Sequence, residues 1–250
     1  MTREQSSSFP LFKVLLEEDE SMTNSVDVVI PAYLPRHENL MLLNRALKSL
    51  ELQTYSDFHT YIILNGLYAA EESVVSSISY QRSHTMIVLS GKTSGAIARN
   101  VGMRAGSSQL IAQLDADDQY HPQKLEKQVE FMKMNSDVDI LGTLAWDYYH
   151  DGSVKESCFS PGQYETHEQI EKALEHENVM CHSSVMLRRE AINMLGGYEE
   201  NAKPGSEWPQ YGRRMWEDWD LWLRACRRGL RLHTIPQRLY YWSVGTGVER

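Results

Sequence analysis

The sequence predicts an α/β fold with a mostly parallel sheet and helices on both of its faces. Short apolar segments alternate with amphipathic helical segments from Val26 to Met134, and this alternation is typical of parallel sheets. After Asp137 the rhythm becomes irregular. The chain has 250 residues, 42% of them hydrophobic and 24% charged, which is ordinary for a globular domain. We therefore predict one domain over residues 26–250, preceded by a Ser-rich, acidic N-terminal tail over residues 1–25.

The first half is expected to contain four strands, each followed by a helix. The spacing of Leu40, Leu43, Leu47 and Leu50 by three and four residues defines the first helix, and Ser94 is a suitable N-cap for the third. The predicted strands are 26–31, 60–64, 85–89 and 109–114. The predicted helices are 40–50, 69–79, 95–106 and 122–134.

The second half is expected to mix short strands and helices without a regular order. Asp151-Gly152 is a turn signal between two extended segments, and Gly229 follows the last helix where a C-cap belongs. The predicted strands are 143–149, 153–159, 183–187, 231–235 and 238–242. The predicted helices are 165–176, a short one closed by Gly196-Gly197, and 217–228.

Composition excludes several classes of function. The net charge of −9 argues against broad binding to nucleic acid or to an anionic membrane. No apolar stretch is long enough for a transmembrane span, and the first 25 residues lack the apolar core of a signal peptide. The three cysteines are far apart in sequence, which favours reduced thiols. The expectation is a cytoplasmic protein, either free or peripheral at the membrane.

The most informative motif is a run of acids, Leu114-Asp115-Ala116-Asp117-Asp118, directly after a predicted strand. In extended backbone Asp115 and Asp117 point to the same side. Oxygen ligands at a strand end suit a hard cation such as Mg²⁺ or Mn²⁺, and ligands of parallel sheets bind at the carboxyl ends of strands. The alternative is an acidic turn that caps the next helix.

Two further segments carry candidate chemistry. Glu217 and Asp218 open a helix, where the helix dipole favours ionised carboxylates, and such a carboxylate suits general-base work. Ordinary helix capping is the alternative. Gly95 at the start of another helix permits close approach of a phosphate, with Arg99 one turn later. Capping is again the alternative for Gly95.

Six segments in register resemble glycosyltransferase family 2, the inverting enzymes of GT-A fold that use nucleotide sugars. The resemblance extends over about residues 26–242. Its segments are VVIPAY at 28–33, SGAIARNVGMRAG at 94–106, LDADD at 114–118, HSSVMLRRE at 182–190, LGGYEE at 195–200 and WEDWDLWLRA at 216–225.

The resemblance implies a Rossmann-like first half, an irregular acceptor-side second half and transfer from a nucleotide-diphosphate sugar, with UDP as the expected nucleotide. It implies a glycan, lipid-linked or protein acceptor, as in polysaccharide biosynthesis. It also implies a Mn²⁺ or Mg²⁺ cofactor held by Asp117, the DXD metal residue of the motif. Asp218 is the implied catalytic base, and Glu217 lies beside it. The implied nucleotide-sugar contacts are Pro31, Ala32, Tyr33, Asn65, Arg99, Asp115 and Asp118.

Two departures from the family pattern bear on specificity. The family usually has acids after its second strand, but this chain has Asn65, which donates as well as accepts hydrogen bonds. Many relatives also have a metal-binding His after the last strands, and the segment from Tyr240 to Arg250 contains none. On the acceptor side, His182 is either an acceptor contact or a structural histidine, and Trp216 either stacks on a sugar or simply packs.

Other functions fit the sequence less well. A sugar nucleotidylyltransferase would need a Gly-rich loop after the first strand, and residues 32–36 contain no Gly. A phosphatase of the DxD type would have its acids near the start of the chain. A nucleotide-sugar-binding protein of the same fold without turnover remains an alternative. The loop from Glu199 to Met215 is predicted to close over the donor, because long loops in compact domains are usually functional or disordered. A permanently packed surface loop is the alternative.

Overall fold

The computed structural model describes residues 12–14, 25–157, 164–201, 207–208 and 213–246. Its strands are β1 (Phe12–Val14), β2 (Val26–Tyr33), β3 (Phe58–Asn65), β4 (His84–Leu89), β5 (Leu110–Gln113), β6 (Gln119–Tyr120), β7 (Ile140–Tyr148), β8 (Val154–Glu156), β9 (Met186–Arg188), β10 (Glu207–Trp208), β11 (Arg213–Arg214) and β12 (Leu232–Ser243).

The helices alternate with these strands in the first half, as predicted. They are α1 (His37–Glu51), α2 (Glu71–Ser76), α3 (Gly95–Ala105), α4 (Lys124–Met134), α5 (His167–Leu174), α6 (Arg189–Leu195) and α7 (Glu217–Arg227). A 3₁₀ turn, His182–Ser184, precedes β9. The Ser94 side chain caps α3 by accepting a hydrogen bond from the Ile97 backbone N–H at 3.2 Å.

Most of the described strands form one sheet in the order β1-β4-β3-β2-β5-β9-β7-β12-β6, with β8 paired to β7. Strands β4, β3, β2 and β5 are parallel, and so are β7 and β12. Strand β9 joins these two parallel groups by antiparallel pairing. The sheet is therefore mostly parallel along its central strands, and the predicted α/β fold class is confirmed.

Side-chain alternation along the central strands divides the core between the two faces of the sheet. Val28 and Ile30 pack in one cluster with α1 and α4, whereas Val29 packs in a second cluster with residues of α5, α6 and α7. The period of two along a strand produces this division. Leu125, Val129 and Met132 of α4 are buried, as their spacing predicted.

The structure corrects three details of the predicted elements. The strand expected at 183–187 begins only at Met186, because Ser184 and Val185 donate backbone hydrogen bonds three residues back and form the 3₁₀ turn. The two strands expected at the end of the described chain are one, β12, with register shifts near Pro236, which lacks a backbone N–H. The predicted tail over residues 1–25 contains a strand, because Phe12–Val14 pairs with β4.

Candidate functional site

The acids of the candidate cation-binding run lie together directly after β5. We call Asp115, Asp117 and Asp118 the acid turn; the backbone N–H of Asp118 donates to the Asp115 carbonyl at 3.0 Å. One carboxylate oxygen from each residue lies within 4.8 Å of the others. An all-oxygen set of this kind fits a hard divalent cation.

Asp118 is the most deeply buried member of the acid turn, with 2% of its surface exposed. Burial and the charges of Asp117 and Asp115 raise its pKa well above the ordinary range. Hydrogen bonds from the Ser183 side chain and from the Ser243 backbone N–H, at 2.9 Å, act in the opposite direction. Three carboxylates in this arrangement repel one another, so a bound cation would relieve a cost built into the turn.

Asp117 is held by side chains from α1 and from the end of β12. The Arg45 guanidinium donates to the Asp117 carbonyl at 2.7 Å and to the Ser243 hydroxyl oxygen at 2.8 Å. The Ser243 hydroxyl donates to the same carbonyl. The Thr246 hydroxyl donates to the Asp117 carboxylate oxygen Oδ2 at 2.7 Å. The backbone and the carboxylate of Asp117 are thus fixed by different groups.

Arg99 joins the acid turn to the start of α7. Its Nη2 lies 2.5 Å from the Asp115 carboxylate and its Nη1 lies 3.0 Å from that of Glu217. The side chain is buried, with 6% of the residue exposed. The neighbouring carboxylates keep the pKa of Arg99 above its ordinary value despite burial. One guanidinium therefore places the two acidic motifs of the sequence side by side.

Asp218 is buried at the first turn of α7 beside residues that precede and enter the 3₁₀ turn. Its Oδ2 accepts a hydrogen bond from the Asn178 side chain at 2.9 Å and lies 3.8 Å from Nδ1 of His182. The Trp219 backbone N–H donates to Oδ1 at 2.7 Å. Burial, followed by the charge of Glu217, raises the pKa of Asp218 to about 7, which is near the value that suits a general base at neutral pH.

The 3₁₀ turn connects the two acidic groups through consecutive residues. His182 lies beside Asp218, and the Ser183 hydroxyl oxygen accepts a hydrogen bond from the Asp115 backbone N–H at 3.0 Å. The turn is itself anchored from α4, because the Gln128 side chain donates to the Ser184 carbonyl at 2.9 Å. Consecutive residues of the turn therefore contact both groups, Ser183 through a hydrogen bond to the acid turn and His182 through its approach to Asp218.

The residues expected to bind the nucleoside lie at the carboxyl ends of β2 and β3. Tyr33 and Asn65 are paired in register. Asn65 is buried, and its side chain accepts from the Thr93 backbone N–H at 3.4 Å. Lys92 lies over the Tyr33 ring, 4.9 Å from its centroid. Gly66, with φ +59°, lies against the same ring, where a β-carbon would come within 2.2 Å.

The structure brings most of the predicted site residues to one edge of the sheet. Pro31, Ala32, Tyr33 and Asn65 end β2 and β3, and Arg99, the acid turn, Glu217, Asp218 and His182 form the contacts described above. Trp216 precedes α7 and is 41% exposed. Residues 202–206 and 209–212 of the loop predicted to close over the donor lie outside the described residues, so that prediction stays a prediction.

Sequence reasoning missed five residues that contact the acidic groups. They are Arg45, Asn178, Ser183, Ser243 and Thr246. Ser183 lies within the HSSVMLRRE segment and was available from that resemblance. The others are far in sequence from the acid that they contact. The separation is 72 residues for Arg45, 40 for Asn178, 125 for Ser243 and 129 for Thr246. No local pattern marks such pairs.

Comparison with known proteins gives a consistent result. The family described as Glycosyl transferase family 2 matches residues 27–196. An uncharacterized glycosyltransferase of Methanocaldococcus jannaschii is 26% identical over 88% of this chain and 70% of its own length. The O-antigen biosynthesis glycosyltransferase WbnJ of Escherichia coli is 30% identical over 69% of this chain and 61% of its own length.

Solved structures share the fold at low sequence identity. S. aureus TarS in complex with UDP-GlcNAc matches with a TM-score of 0.67 and 14% identity, over 89% of this chain and 59% of that one. The mannosyltransferase PcManGT of Pyrobaculum calidifontis, in complex with GDP-Man and Mn²⁺, matches with a TM-score of 0.62 and 14% identity, over 93% of this chain and 61% of that one. In the described ranges, none of the helices combines the length and apolarity needed to cross a bilayer.

Proposed function

The chain belongs to glycosyltransferase family 2, and from this membership we propose that it is an inverting glycosyltransferase that uses a nucleotide-diphosphate sugar. A single observation carries the proposal: Arg99 contacts both Asp115 of the acid turn and Glu217 at the start of α7. This contact places the acid turn, the proposed cation site, beside the start of α7, where Asp218 is the candidate base. The UDP-GlcNAc complex of TarS supports UDP as the nucleotide, and the acceptor is a glycan, lipid-linked or protein hydroxyl.

In the proposed reaction Asp218 takes the proton of the acceptor hydroxyl. The acceptor oxygen attacks the anomeric carbon from the face opposite the diphosphate, the bond between that carbon and the diphosphate oxygen breaks, and the configuration inverts. Because the pKa of Asp218 is raised to about 7, its carboxylate is suited both to take the proton near neutral pH and to hold it. Asn178 and the Trp219 backbone N–H hold the carboxylate in a fixed orientation.

We propose that Asp117 holds a divalent cation, Mn²⁺ or Mg²⁺, with Asp115 and Asp118 beside it. When bound, the cation would neutralise negative charge that develops on the leaving diphosphate. The clustering of three carboxylates and the Mn²⁺ in the PcManGT complex support this assignment. Pro31, Ala32, Tyr33 and Asn65, at the ends of β2 and β3, are the proposed nucleoside contacts.

The proposed base is tested by Asp218→Asn, which keeps the shape of the side chain but removes its basicity. We expect kcat to fall about a hundredfold or more with KM for the donor nearly unchanged. Asp151→Asn makes the same chemical change in an exposed turn and is the matched control. Steady-state donor hydrolysis and transfer, screened over UDP-sugars with Mn²⁺, provide the measurement.

Two results would count against this proposal. If Asp218→Asn kept near-normal kcat, the base would lie elsewhere, with Glu217 as the nearest carboxylate. If the unaltered protein bound UDP-sugar but neither transferred nor hydrolysed it, the chain would be a nucleotide-sugar-binding protein of the same fold.

A further inference from the structure

Thr246 reaches the acid turn from the far end of β12. The segment after β12 turns at Gly245, with φ +75°, and this turn brings the Thr246 side chain back over Asp117. Its hydroxyl oxygen Oγ1 lies 2.7 Å from Oδ2 of Asp117 and 3.4 Å from the Ser243 carbonyl oxygen. We call residues 243–246 the strap.

The strap is anchored by contacts that do not involve the Thr246 side chain. The Ser243 backbone N–H donates to Asp118, and the Ser243 hydroxyl donates to the Asp117 carbonyl. The Val244 backbone N–H donates to the Tyr148 carbonyl at 2.9 Å. Arg45 donates to Ser243 from α1. Because these bonds hold the strap, the Thr246 hydroxyl can be removed without releasing the segment from the acid turn.

We propose that the Thr246 hydroxyl is a direct oxygen ligand of the divalent cation held by Asp117; this inference rests on the function proposed above. Neighbouring oxygens around a cation with bonds of about 2.1 Å lie roughly 3 Å apart, close to the observed separation of Thr246 Oγ1 and Asp117 Oδ2. A Ser or Thr hydroxyl holds Mg²⁺ in the same way in phosphate-binding loops.

The charge of the acid turn explains why a neutral ligand suits this position. Three ionised carboxylates, with one oxygen of each within 4.8 Å of the others, already carry more negative charge than a divalent cation neutralises. A fourth carboxylate would add repulsion, whereas a hydroxyl supplies a lone pair without charge. The hydroxyl proton now donated to Asp117 would turn to another acceptor, and no proton need leave the protein.

The rival explanation is that Thr246 only orients the Asp117 carboxylate through its hydrogen bond. Removal of the hydroxyl would weaken cation binding under both explanations, so a loss alone does not separate them. A change in the kind of metal preferred does separate them, because only a ligand alters the softness of the donor set.

The experiment titrates Mn²⁺ and Cd²⁺ into the protein with UDP present, by calorimetry and by the electron paramagnetic resonance signal of free Mn²⁺. The variants are Thr246→Val, Thr246→Ser and Thr246→Cys. Thr85→Val and Thr85→Cys are matched controls at the opposite edge of the sheet, where Thr85 contacts His59. Thr246→Val should weaken Mn²⁺ binding about tenfold or more, and Thr246→Ser should retain most of it.

Thr246→Cys should reverse the preference, with Cd²⁺ binding strengthened and Mn²⁺ binding weakened relative to the unaltered protein. Thr85→Cys should leave both unchanged, which accounts for cadmium bound by cysteines elsewhere. Unchanged Mn²⁺ affinity in Thr246→Val, or an unchanged metal preference in Thr246→Cys, would overturn the inference. If the unaltered protein binds neither metal with UDP, the metal assignment of the proposed function fails, and the role of Thr246 fails with it.

Discussion

One acidic side chain, Asp27, and the three acids of the acid turn lie at opposite ends of the parallel strands. They differ in how far the surrounding protein neutralises their charge. Asp27, near the start of β2, is buried and accepts hydrogen bonds from the Ser108 backbone N–H at 3.0 Å and the Ser108 hydroxyl at 2.6 Å. The Arg189 guanidinium lies 2.5 Å from its carboxylate. The acid turn, at the end of β5, gathers three carboxylates, and burial, followed by the charges of Asp117 and Asp115, raises the pKa of Asp118.

From this difference we infer that the Asp27 end of the strands contributes to stability, whereas the acid turn is suited to binding a cation. The carboxylate of Asp27 is paired with the guanidinium of Arg189, so its charge is balanced without a bound ligand. At the other edge, the Arg99 guanidinium is shared between Asp115 and Glu217, and Arg45 donates to a backbone carbonyl and a hydroxyl. Acids gathered in excess of cations are stabilised when a positive ligand arrives.

The largest effect on stability is expected near the start of β2, where Asp27 is paired with Arg189. Asp27→Asn leaves the Arg189 guanidinium without its carboxylate partner in a site where Arg189 also donates to the Ser108 carbonyl at 2.6 Å. The free energy of unfolding should fall by about 3 kcal/mol, as for other broken buried ion pairs. Urea denaturation measures this loss.

The comparison also predicts what Asp27→Asn does not change. In the folded fraction, the increase in UDP affinity caused by Mn²⁺ should equal that of the unaltered protein. Ser108→Ala, a milder change at the same edge, should lose about 1 kcal/mol and serves if the Asn variant does not fold. A loss of manganese dependence in Ser108→Ala would contradict the division between the two edges.

In the acid turn, by contrast, removing a carboxylate is expected to raise the free energy of unfolding. Asp118→Asn keeps an oxygen for the Ser243 backbone N–H and gives a neutral amide that can donate to the neighbouring carboxylates. The free energy of unfolding without metal should rise by about 1 kcal/mol at pH 8, the usual net contribution of a hydrogen bond. Thermal unfolding at several pH values measures this gain.

The pH dependence of that gain follows from the direction of the pKa shift. Because the folded-state pKa of Asp118 is raised, the unaltered protein takes up a proton on Asp118 as the pH falls and is stabilised relative to its unfolded state. The advantage of Asp118→Asn should therefore shrink as the pH falls. A destabilised variant at pH 8 would show that the acid turn is satisfied without a cation.

The smallest effect is expected for Glu217→Gln. The charge of Glu217 raises the pKa of Asp218, after burial as the largest cause. Removing that charge should lower the pKa of the proposed base, so the acidic limb of the kcat profile should move to lower pH by on the order of half to one unit. A limb that moved to higher pH would contradict the assignment of Asp218.

Local patterns in the sequence were sufficient for the elements that carry the site. The short apolar runs of β2 and β5 and the Ser94 cap of α3 are short-range features, and both appear in the structure. The 3₁₀ turn at His182–Ser184 was not predictable in this way. Its two serines adjoin the apolar residues 185–187, so the segment fits a strand equally well, and tertiary contacts such as that of Gln128 with the Ser184 carbonyl stabilise the turn.

The identity of the acidic residues was readable from sequence, but their pairing was not. Asp115 and Glu217 were marked by their motifs, whereas their connection through Arg99 depends on how α3 and α7 pack. The pairing of Asn178 with Asp218 and of Thr246 with Asp117 likewise depends on long-range packing. Sequence therefore indicated the chemistry of the site, and the fold determined which side chains share it.

The central claim is that the acid turn is completed by a divalent cation and a nucleotide diphosphate, and thermal unfolding of Asp117→Asn tests it most directly. With Mn²⁺ at about a hundred times its dissociation constant from the UDP complex, the unaltered protein should gain on the order of 2.7 kcal/mol beyond the gain from UDP alone. Asp117→Asn should keep only the gain that UDP produces without metal. An equal manganese-dependent gain in the two proteins would contradict the claim.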